Sequence, residues 1–403
     1  MIPDPRRFLR GLFDAAVAAA DPMRALGPHL PKRPPGRTLV LGAGKAAARM
    51  AEAVEAEWGP CEGLVIARYG YGRPLRGIEC VEAAHPVPDA AGEAATRRIL
   101  ALAAGLGEGD LLLFLVSGGA SALLTAPRAP LTLRDMIAVN EALLTSGLPI
   151  GAMNRVRRQL DGAKGGAVAA AAFPARTLTL AISDVRGDDP VLIGSGPTAG
   201  GRAPAGMLPS LAPRLPADVR PLLLGAQNAL ADDDPRLARA ETRVAIAPSR
   251  SLLVARRLAE EAGLKILDLG ELEGEAQAVA REHAALARRT EGPALILSGG
   301  ELTVTRSPDA SGTGGPNAEY ALALALALEG APGIHAIACD TDGVDGASEV
   351  AGALIGPGTP LDGGAEALAQ HDAHGFFGRA RGQVVTGPTL TNVNDFRAIL
   401  VDR

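Results

Sequence analysis

Three carboxylates crowd one short loop of this 403-residue chain. They are Asp184, Asp188 and Asp189, in TLTLAISDVRGDDPVLIGSGPT from Thr177 to Thr198. The stretch begins as a strand over 177–182, with Thr and Leu alternating. It closes on Gly194, Ser195, Gly196, Pro197 and Thr198. Open α/β sheets bind ligands beyond the carboxyl ends of their strands. Acids over a floor of small residues at such a place can hold a metal ion and the phosphates it carries. The plainer reading is an acidic turn, with Asp as turn-former and helix cap.

Other stretches offer partners for that loop. Gly42-Ala43-Gly44-Lys45-Ala46-Ala47 matches G-x-G-x-x-A at the start of a helix, where backbone N–H groups favour an anion. A nicotinamide site would carry an acid after the second strand. Here that strand ends Ala67-Arg68-Tyr69, which disfavours NAD and leaves NADP open. Lys45 inside the turn suits a single terminal or transferred phosphate. Lysine is rare in the chain: only Lys32, Lys45, Lys164 and Lys265 occur. Lys45 and Lys164 lie beside glycines, where a compact ammonium can approach a phosphate. Ser117-Gly118-Gly119-Ala120-Ser121 can form a backbone nest for an anion, or a plain strand-to-helix turn.

Asn154-Arg155-Val156-Arg157-Arg158 leads to Lys164-Gly165-Gly166. Arg155 and Arg158 share a helix face, so one could reach an anionic substrate. Arg157 and Arg158 read better as an exposed basic face. Asp340-Thr341-Asp342-Gly343-Val344-Asp345 starts like an EF-hand loop, but Ala351 stands where that loop needs Glu. A Mg²⁺ site or contact with a polar substrate remains open there. Two further ligand candidates are Gly312 to Glu319, with Gly314, Gly315 and Asn317, and Thr386 to Asp395, with Asn392 and Asn394. Either can equally be a capping loop. The P-loop and the G-x-S-x-G elbow are absent, and the six histidines form no ligand set. His371 and His374 read as surface residues. His85 either lines a cleft or is structural.

Strands alternating with helices must position these residues. Residues 1–30 read as a helix. Strands are expected at 37–41, 64–67, 110–116 and 177–182, with helices at 46–58, 90–104, 132–146 and 151–172. This spacing argues for a mostly parallel α/β sheet with right-handed crossovers. Residues 199–222 turn Pro- and Gly-rich and mark the best domain boundary. A second α/β unit follows, with strands at 243–247, 264–268, 294–298, 302–305, 334–339, 383–386 and 398–401. The run ALALALAL over 321–328 has a strand-like period of two, but Ala and Leu favour helix, and it reads as a buried helix.

Composition narrows the function classes. The chain is 47% hydrophobic and 21% charged, which supports a sizeable core, and aromatics are only 3%, so Ala, Leu, Val and Ile must build it. The net charge of -5 and the lack of any Lys/Arg block argue against nucleic acid. Cys61, Cys80 and Cys339 are scattered, which fits a reducing compartment and no structural zinc. No apolar run approaches the ~20 residues that span a bilayer. A cytoplasmic protein is expected.

Nine blocks in order carry a resemblance: GAGKAAARM, HPVPD, SGGAS, MNRVRRQL with KGG, ISDVRGDDP with IGSGPT, SGGE, GTGGPNAE, CDTDGVDG and TGPTLTNVND. Together they resemble the glycerate 2-kinase family with a C-terminal MOFRL domain, some members of which are labelled hydroxypyruvate reductases. The resemblance implies an N-terminal Rossmann-like domain over 1–235, a MOFRL domain over 236–403 and an active site in the cleft between them. It implies transfer of a phosphoryl group from ATP, with Mg²⁺, to the 2-hydroxyl of D-glycerate, giving 2-phosphoglycerate.

The family's catalytic lysine maps onto Lys45, with Asp184 and Arg155 expected beside it. Expected ligand contacts are Gly44, Ser117, Gly118, Gly119, Ser121, Asn154, Lys164, Ser195, Gly196, Gly314, Gly315, Asn317, Glu319, Asn392 and Asn394. Asp188, Asp189, Asp340 and Asp342 are the expected metal ligands. The chain departs from the pattern in two places. The family's G-x-G-G-R-N-Q-E block carries an arginine thought to be catalytic, and here Pro316 and Ala318 replace its Arg and Gln. The P-T-D-A-A-G block is here Ala347 to Gly352. An NADPH-dependent reductase, or a member with altered substrate or lost kinase activity, are the alternatives.

Overall fold

The computed structural model describes residues 2–145, 148, 150–204, 206–215, 217, 219–224, 228–306, 310–346 and 348–403. Ser146, the last residue of one expected helix, and Ala347 of the departing block lie outside the described residues. The chain divides into two compact units. The first is Pro22–Ile246, and the second joins Met1–Asp21 to Ala247–Arg403.

The first unit is built on a six-stranded sheet. Its strands are β1 (Thr38–Ala43), β2 (Glu62–Arg68), β3 (Ile78–Ala83), β4 (Leu111–Val116), β5 (Arg176–Ile182) and β6 (Ala240–Ile246). Their spatial order is β3-β2-β1-β4-β5-β6, and every pair is parallel. Parallel sheets are covered on both faces, so central strands read as unbroken apolar runs. Leu111 to Val116, LLLFLV, is buried at every position. β3 escaped the sequence reading because IECVEA is an edge strand with few buried positions.

β6 corrects the expected organisation. The strand expected near 243–247 belongs to the first sheet, pairing with β5, and not to the second unit. The Pro- and Gly-rich segment is therefore an excursion that returns to the sheet edge. The expected division at 235/236 falls inside the short turn Pro235–Leu237, before β6. The long helix expected over 151–172 is two helices, Ile150–Leu160 and Ala167–Ala172, because Gly165 and Gly166 turn the chain between them.

The second unit has a mixed sheet. In chain order its strands are β7 (Lys265–Glu271), β8 (Gly274–Glu275), β9 (Ala294–Gly299), β10 (Leu302–Thr303), β11 (Ile334–Asp340), β12 (Gly352–Ile355), β13 (Gln383–Val384) and β14 (Asp395–Val401). Six of them line up as β13-β12-β11-β14-β9-β7, and β8 and β10 pair separately. β14 runs antiparallel to both β9 and β11, so the ends of β9 and β11 and the start of β14 share one edge. The ALALALAL run is helical, within Pro316–Leu328, and buried on nearly all sides. The N-terminal helix Pro5–Ala19 also belongs to this unit. It packs Leu9, Leu12, Phe13 and Ala16 into the core, with the Phe13 ring 5.9 Å from that of Phe396.

Candidate functional site

The strand order of the first sheet reverses between β1 and β4, and ligands of doubly wound sheets bind at such a switch point. The turns that leave β1 and β4 there are Gly42 to Ala46 and Ser117 to Ser121, two of the stretches singled out by composition. They touch. Gly44 has φ +140°, and a Cβ on it would stand 2.1 Å from Ser117 Oγ, so no larger residue fits. The Lys45 amide donates to the Gly118 carbonyl at 2.8 Å and the Ala46 amide to Ser117 Oγ at 3.0 Å. The Gly44 amide donates to Ile66 O and that of Ala47 to Gly44 O. All four amides of the turn are thus used inside the protein, and what it presents is the half-buried Lys45 side chain.

His85 joins this point. A Cβ on Gly119 would lie 3.0 Å and 3.1 Å from His85 Cδ2 and Nε2, and 3.2 Å from Lys45 Cγ. The imidazole and the lysine stem therefore flank the same glycine. Sequence alone favours a structural His85 over a cleft-lining one, because the loop after β3 is two strands away from β1 in the sheet.

The acidic loop follows β5, the neighbour of β4. Asp184 is half-buried there. Asp189 accepts from the Val191 amide at 2.9 Å on Oδ1, and its carbonyl accepts from Leu192 and Ile193. Asp188 has φ 55°, and its Oδ1 is buried with no hydrogen-bond partner among the described residues. Ser195 is fully buried, and its hydroxyl lies 2.7 Å from that of Ser121. The Gly196 carbonyl accepts from the Gly166 amide at 2.9 Å.

Several cations are spent within the fold. Lys164 is fully buried, and its Nζ donates to Leu124 O at 2.7 Å and to Asp161 at 2.6 Å. Burial pushes this ammonium below its usual range, against the pull of Asp161. Its ammonium faces inward, onto Leu124 O and Asp161. Arg157 and Arg158 do not form an exposed basic face. Arg158 is buried, donating to Val191 O, Ala199 O and Gly200 O. Arg157 donates to Asn140 and Asn154, and Asn154 donates on to Leu192 O. Burial pushes both guanidinium groups down to about 10. They brace the acidic loop from behind. Arg155 stays at the surface, bonded to Arg202 O at 3.1 Å.

The second unit collects its candidates along one sheet edge. Asp345, fully buried, accepts from the amides of Asn317 at 2.9 Å and Ala318 at 2.8 Å. It caps the Pro316–Leu328 helix with a carboxylate, which suits the positive end of the helix dipole. A Cβ on Gly315 would lie 2.4 Å from Asp345 Cγ, so Asp345 fills the place where Gly314 and Gly315 were expected to cradle a ligand. Asn317 Nδ2 reaches Asp395 at 2.7 Å, and Asp395 pairs with buried Arg397 at 2.9 Å. Arg397 also holds Ser298 and the Gly299 and Gly300 carbonyls.

The remaining residues of this edge shape its turns. Asp340 accepts from the Asp342 amide, Asp342 from Val344, and Asn392 from Asn394. Glu319 is buried against His371 at 2.9 Å and accepts from Gln277 at 2.7 Å. His371 and His374, expected at the surface, are both buried, and His374 lies 3.1 Å from Asp345. The sequence reading missed the group of Asp345, His374, Asp395 and Arg397. Asp345 and Asp395 stood in two separately flagged stretches, and the further signal was two charges inside the strand DFRAILV. Among the described residues no group of three or more His, Cys, Asp or Glu could hold a metal ion. No helix among them is long and apolar enough to cross a membrane.

Comparison with known proteins agrees with this architecture. Residues 8–207 match a domain of unknown function, DUF4147, and residues 294–395 match the MOFRL family. A putative hydroxypyruvate reductase of Agrobacterium vitis is 47% identical over 98% of this chain and 94% of its own length. The D-glycerate 2-kinase of Thermotoga maritima is 32% identical over 94% of each chain. The crystal structure of glycerate kinase from Thermotoga maritima superposes with a TM-score of 0.85 at 31% identity, covering 98% of this chain and 99% of the other. The two-sheet α/β fold, the Lys45 turn at the switch point and these likenesses over nearly the whole length place the chain in the glycerate 2-kinase family.

Proposed function

We propose that this chain transfers the γ-phosphoryl group of ATP to the 2-hydroxyl of D-glycerate. The observation that carries the reading is the turn at Lys45: its four amides are used within the protein, and a lysine side chain is what it offers. A dinucleotide pyrophosphate needs free amides at that turn, whereas a transferring phosphoryl needs a cation. In the reaction the glycerate oxygen bonds to Pγ and the bond from Pγ to the ADP oxygen breaks. The hydroxyl proton passes to a carboxylate, for which Asp184 at the end of β5 is our choice. Phosphoryl transfer asks for positioning and charge neutralisation more than covalent chemistry. Lys45 supplies the charge, and the Ser117–Ser121 turn supplies the positioning.

Mg²⁺ fits the acidic loop. Asp188 has an orphaned buried oxygen there, and Mg²⁺ is commonly held by one or two carboxylates plus substrate phosphates. Asp189 would be its second carboxylate. The ion would neutralise the charge on the β- and γ-phosphates. Asp342 serves this role less well, since it is fully buried.

The test is ADP release from ATP and D-glycerate with Mg²⁺, run over a panel of small 2-hydroxy acids beside Lys45→Ala. Release no greater than that of the variant defeats the proposal. The names of the Agrobacterium vitis relatives favour a second reading, reduction of hydroxypyruvate by NADPH. A flat NADPH absorbance trace with hydroxypyruvate removes it. Pro316 favours a third, a binder without turnover. If the lost arginine is the reason, Pro316→Arg should raise turnover. No change would show that this position is not limiting.

A further inference from the structure

Ser195 holds a backbone conformation that serine seldom adopts. Its φ is 65°, between Gly194 at 56° and Gly196 at 60°. A non-glycine residue there is strained, and such residues cluster at functional sites. The two flanking positions are glycine and the middle one is not, so its side chain has a use. That side chain is fully buried and cannot itself meet a ligand. Its hydroxyl has one hydrogen-bond partner among the described residues, the hydroxyl of Ser121 at 2.7 Å.

The surroundings fix this pair in place. The Ser195 carbonyl accepts from Gly165, and its amide donates to Leu192 O. A Cβ on Gly194 would lie 2.8 Å from Val116 Cγ2 and 2.9 Å from Ala120 Cβ, so the loop is pressed against the turn that carries Ser121. Lys164 holds the other end of that turn through Leu124 O. Ser121, unlike Ser195, is partly exposed at the switch point.

Either oxygen of the pair could donate, but burial decides. A buried hydroxyl hydrogen without an acceptor is costly, and Ser121 Oγ is the acceptor that Ser195 has. We propose that Ser195 is a positioning residue that donates its hydroxyl hydrogen to Ser121 and so turns the Ser121 hydroxyl outward as a donor to a ligand oxyanion. That oxyanion is a phosphate oxygen of the nucleotide or the carboxylate of the hydroxy acid. The naming of these two ligands rests on the glycerate kinase reading.

The experiment is calorimetric titration of ATP, D-glycerate and inorganic phosphate into the full chain, its Ser121→Ala and Ser195→Gly variants and the double variant. Glycine accepts the left-handed conformation, so Ser195→Gly keeps the loop, and a urea midpoint close to wild type checks this. Losing a hydrogen bond to a charged group weakens binding roughly ten-fold or more. Ser121→Ala should show this for ATP and phosphate if the partner is a phosphate, or for D-glycerate if it is the carboxylate. Ser195→Gly should weaken the same ligand roughly three- to ten-fold, and the double variant should bind like Ser121→Ala alone. Unchanged binding in Ser195→Gly, or losses that multiply in the double variant, overturns the proposal. A wild-type chain that binds these ligands but makes no ADP defeats the kinase reading and leaves the coupling readable. One that binds none of them defeats both.

Discussion

Replacing Asp345 by alanine should destabilise the second unit rather than report on a ligand. The carboxylate accepts two first-turn amides of the Pro316–Leu328 helix, at 2.9 Å and 2.8 Å, and lies 3.1 Å from His374. Every group in this contact is buried. Loss of a helix cap costs about 1 kcal/mol, and each buried amide left without a partner costs ~1–3 kcal/mol. Together Asp345→Ala should lose roughly 3–7 kcal/mol, a large share of the ~5–15 kcal/mol that holds a domain together. Asp345→Asn retains one acceptor oxygen and should lose about half as much. Urea unfolding followed by far-ultraviolet circular dichroism reads this as a lowered midpoint at unchanged slope. Two results would refute the reasoning. One is an Asp345→Ala midpoint within about 1 kcal/mol of wild type, the usual range of a surface change. The other is lost turnover at an unchanged midpoint, which would make Asp345 a ligand group rather than a cap.

On the proposed reaction, in which the Lys45 side chain neutralises phosphoryl charge, Lys45→Ala should lower turnover by ~10² to 10⁴ with little effect on the urea midpoint. A similar fall in a chain with a lowered midpoint would instead mark Lys45 as structural. Lys164→Met should behave in the opposite way. It breaks a buried ion pair and should cost about 3 kcal/mol, the low end of such losses, since Asp161 keeps the amides of Ala126 and Ala163. An unchanged midpoint would contradict this. Burial, with the charge of Arg397 adding, pushes the His283 imidazole down to about 4. A depressed folded value means that stability is full above the ordinary value near 6.5 and is lost as pH falls towards 4. The loss amounts to roughly 3 kcal/mol. Urea midpoints between pH 7 and 4.5 should fall more steeply in wild type than in His283→Gln, and equal slopes would refute it.

Much of this protein was legible in its residues. LLLFLV at 111–116 reads as a strand covered on both faces, because an unbroken apolar run that short has no polar side to give to water. ALALALAL was a helix despite its period of two, since backbone preference for helix outweighs a pattern that burial on all sides makes meaningless. The turns at Gly42 to Lys45 and Ser117 to Ser121 announced themselves by glycine after a strand. The nine ordered blocks carry the family resemblance in the sequence alone.

Long-range geometry decided the rest. Lys45 and Lys164 both sit beside glycine, yet one side chain reaches the switch point and the other is fully buried against Asp161. Local sequence carries no sign of which way an ammonium will face. Arg157 and Arg158 read as solvated because charge usually is, but Arg158 finds the carbonyls of Val191, Ala199 and Gly200, and Arg157 the side-chain oxygens of Asn140 and Asn154, so both are held inside at tolerable cost. His371 and His374 found carboxylates from Glu319 and Asp345, residues 52 and 29 positions away. β6 returned to the first sheet after an excursion that reads like a linker. Composition and periodicity report what one segment prefers by itself. Which charges are spent inside, and which are left to do chemistry, depends on partners that only the folded chain brings within hydrogen-bond reach.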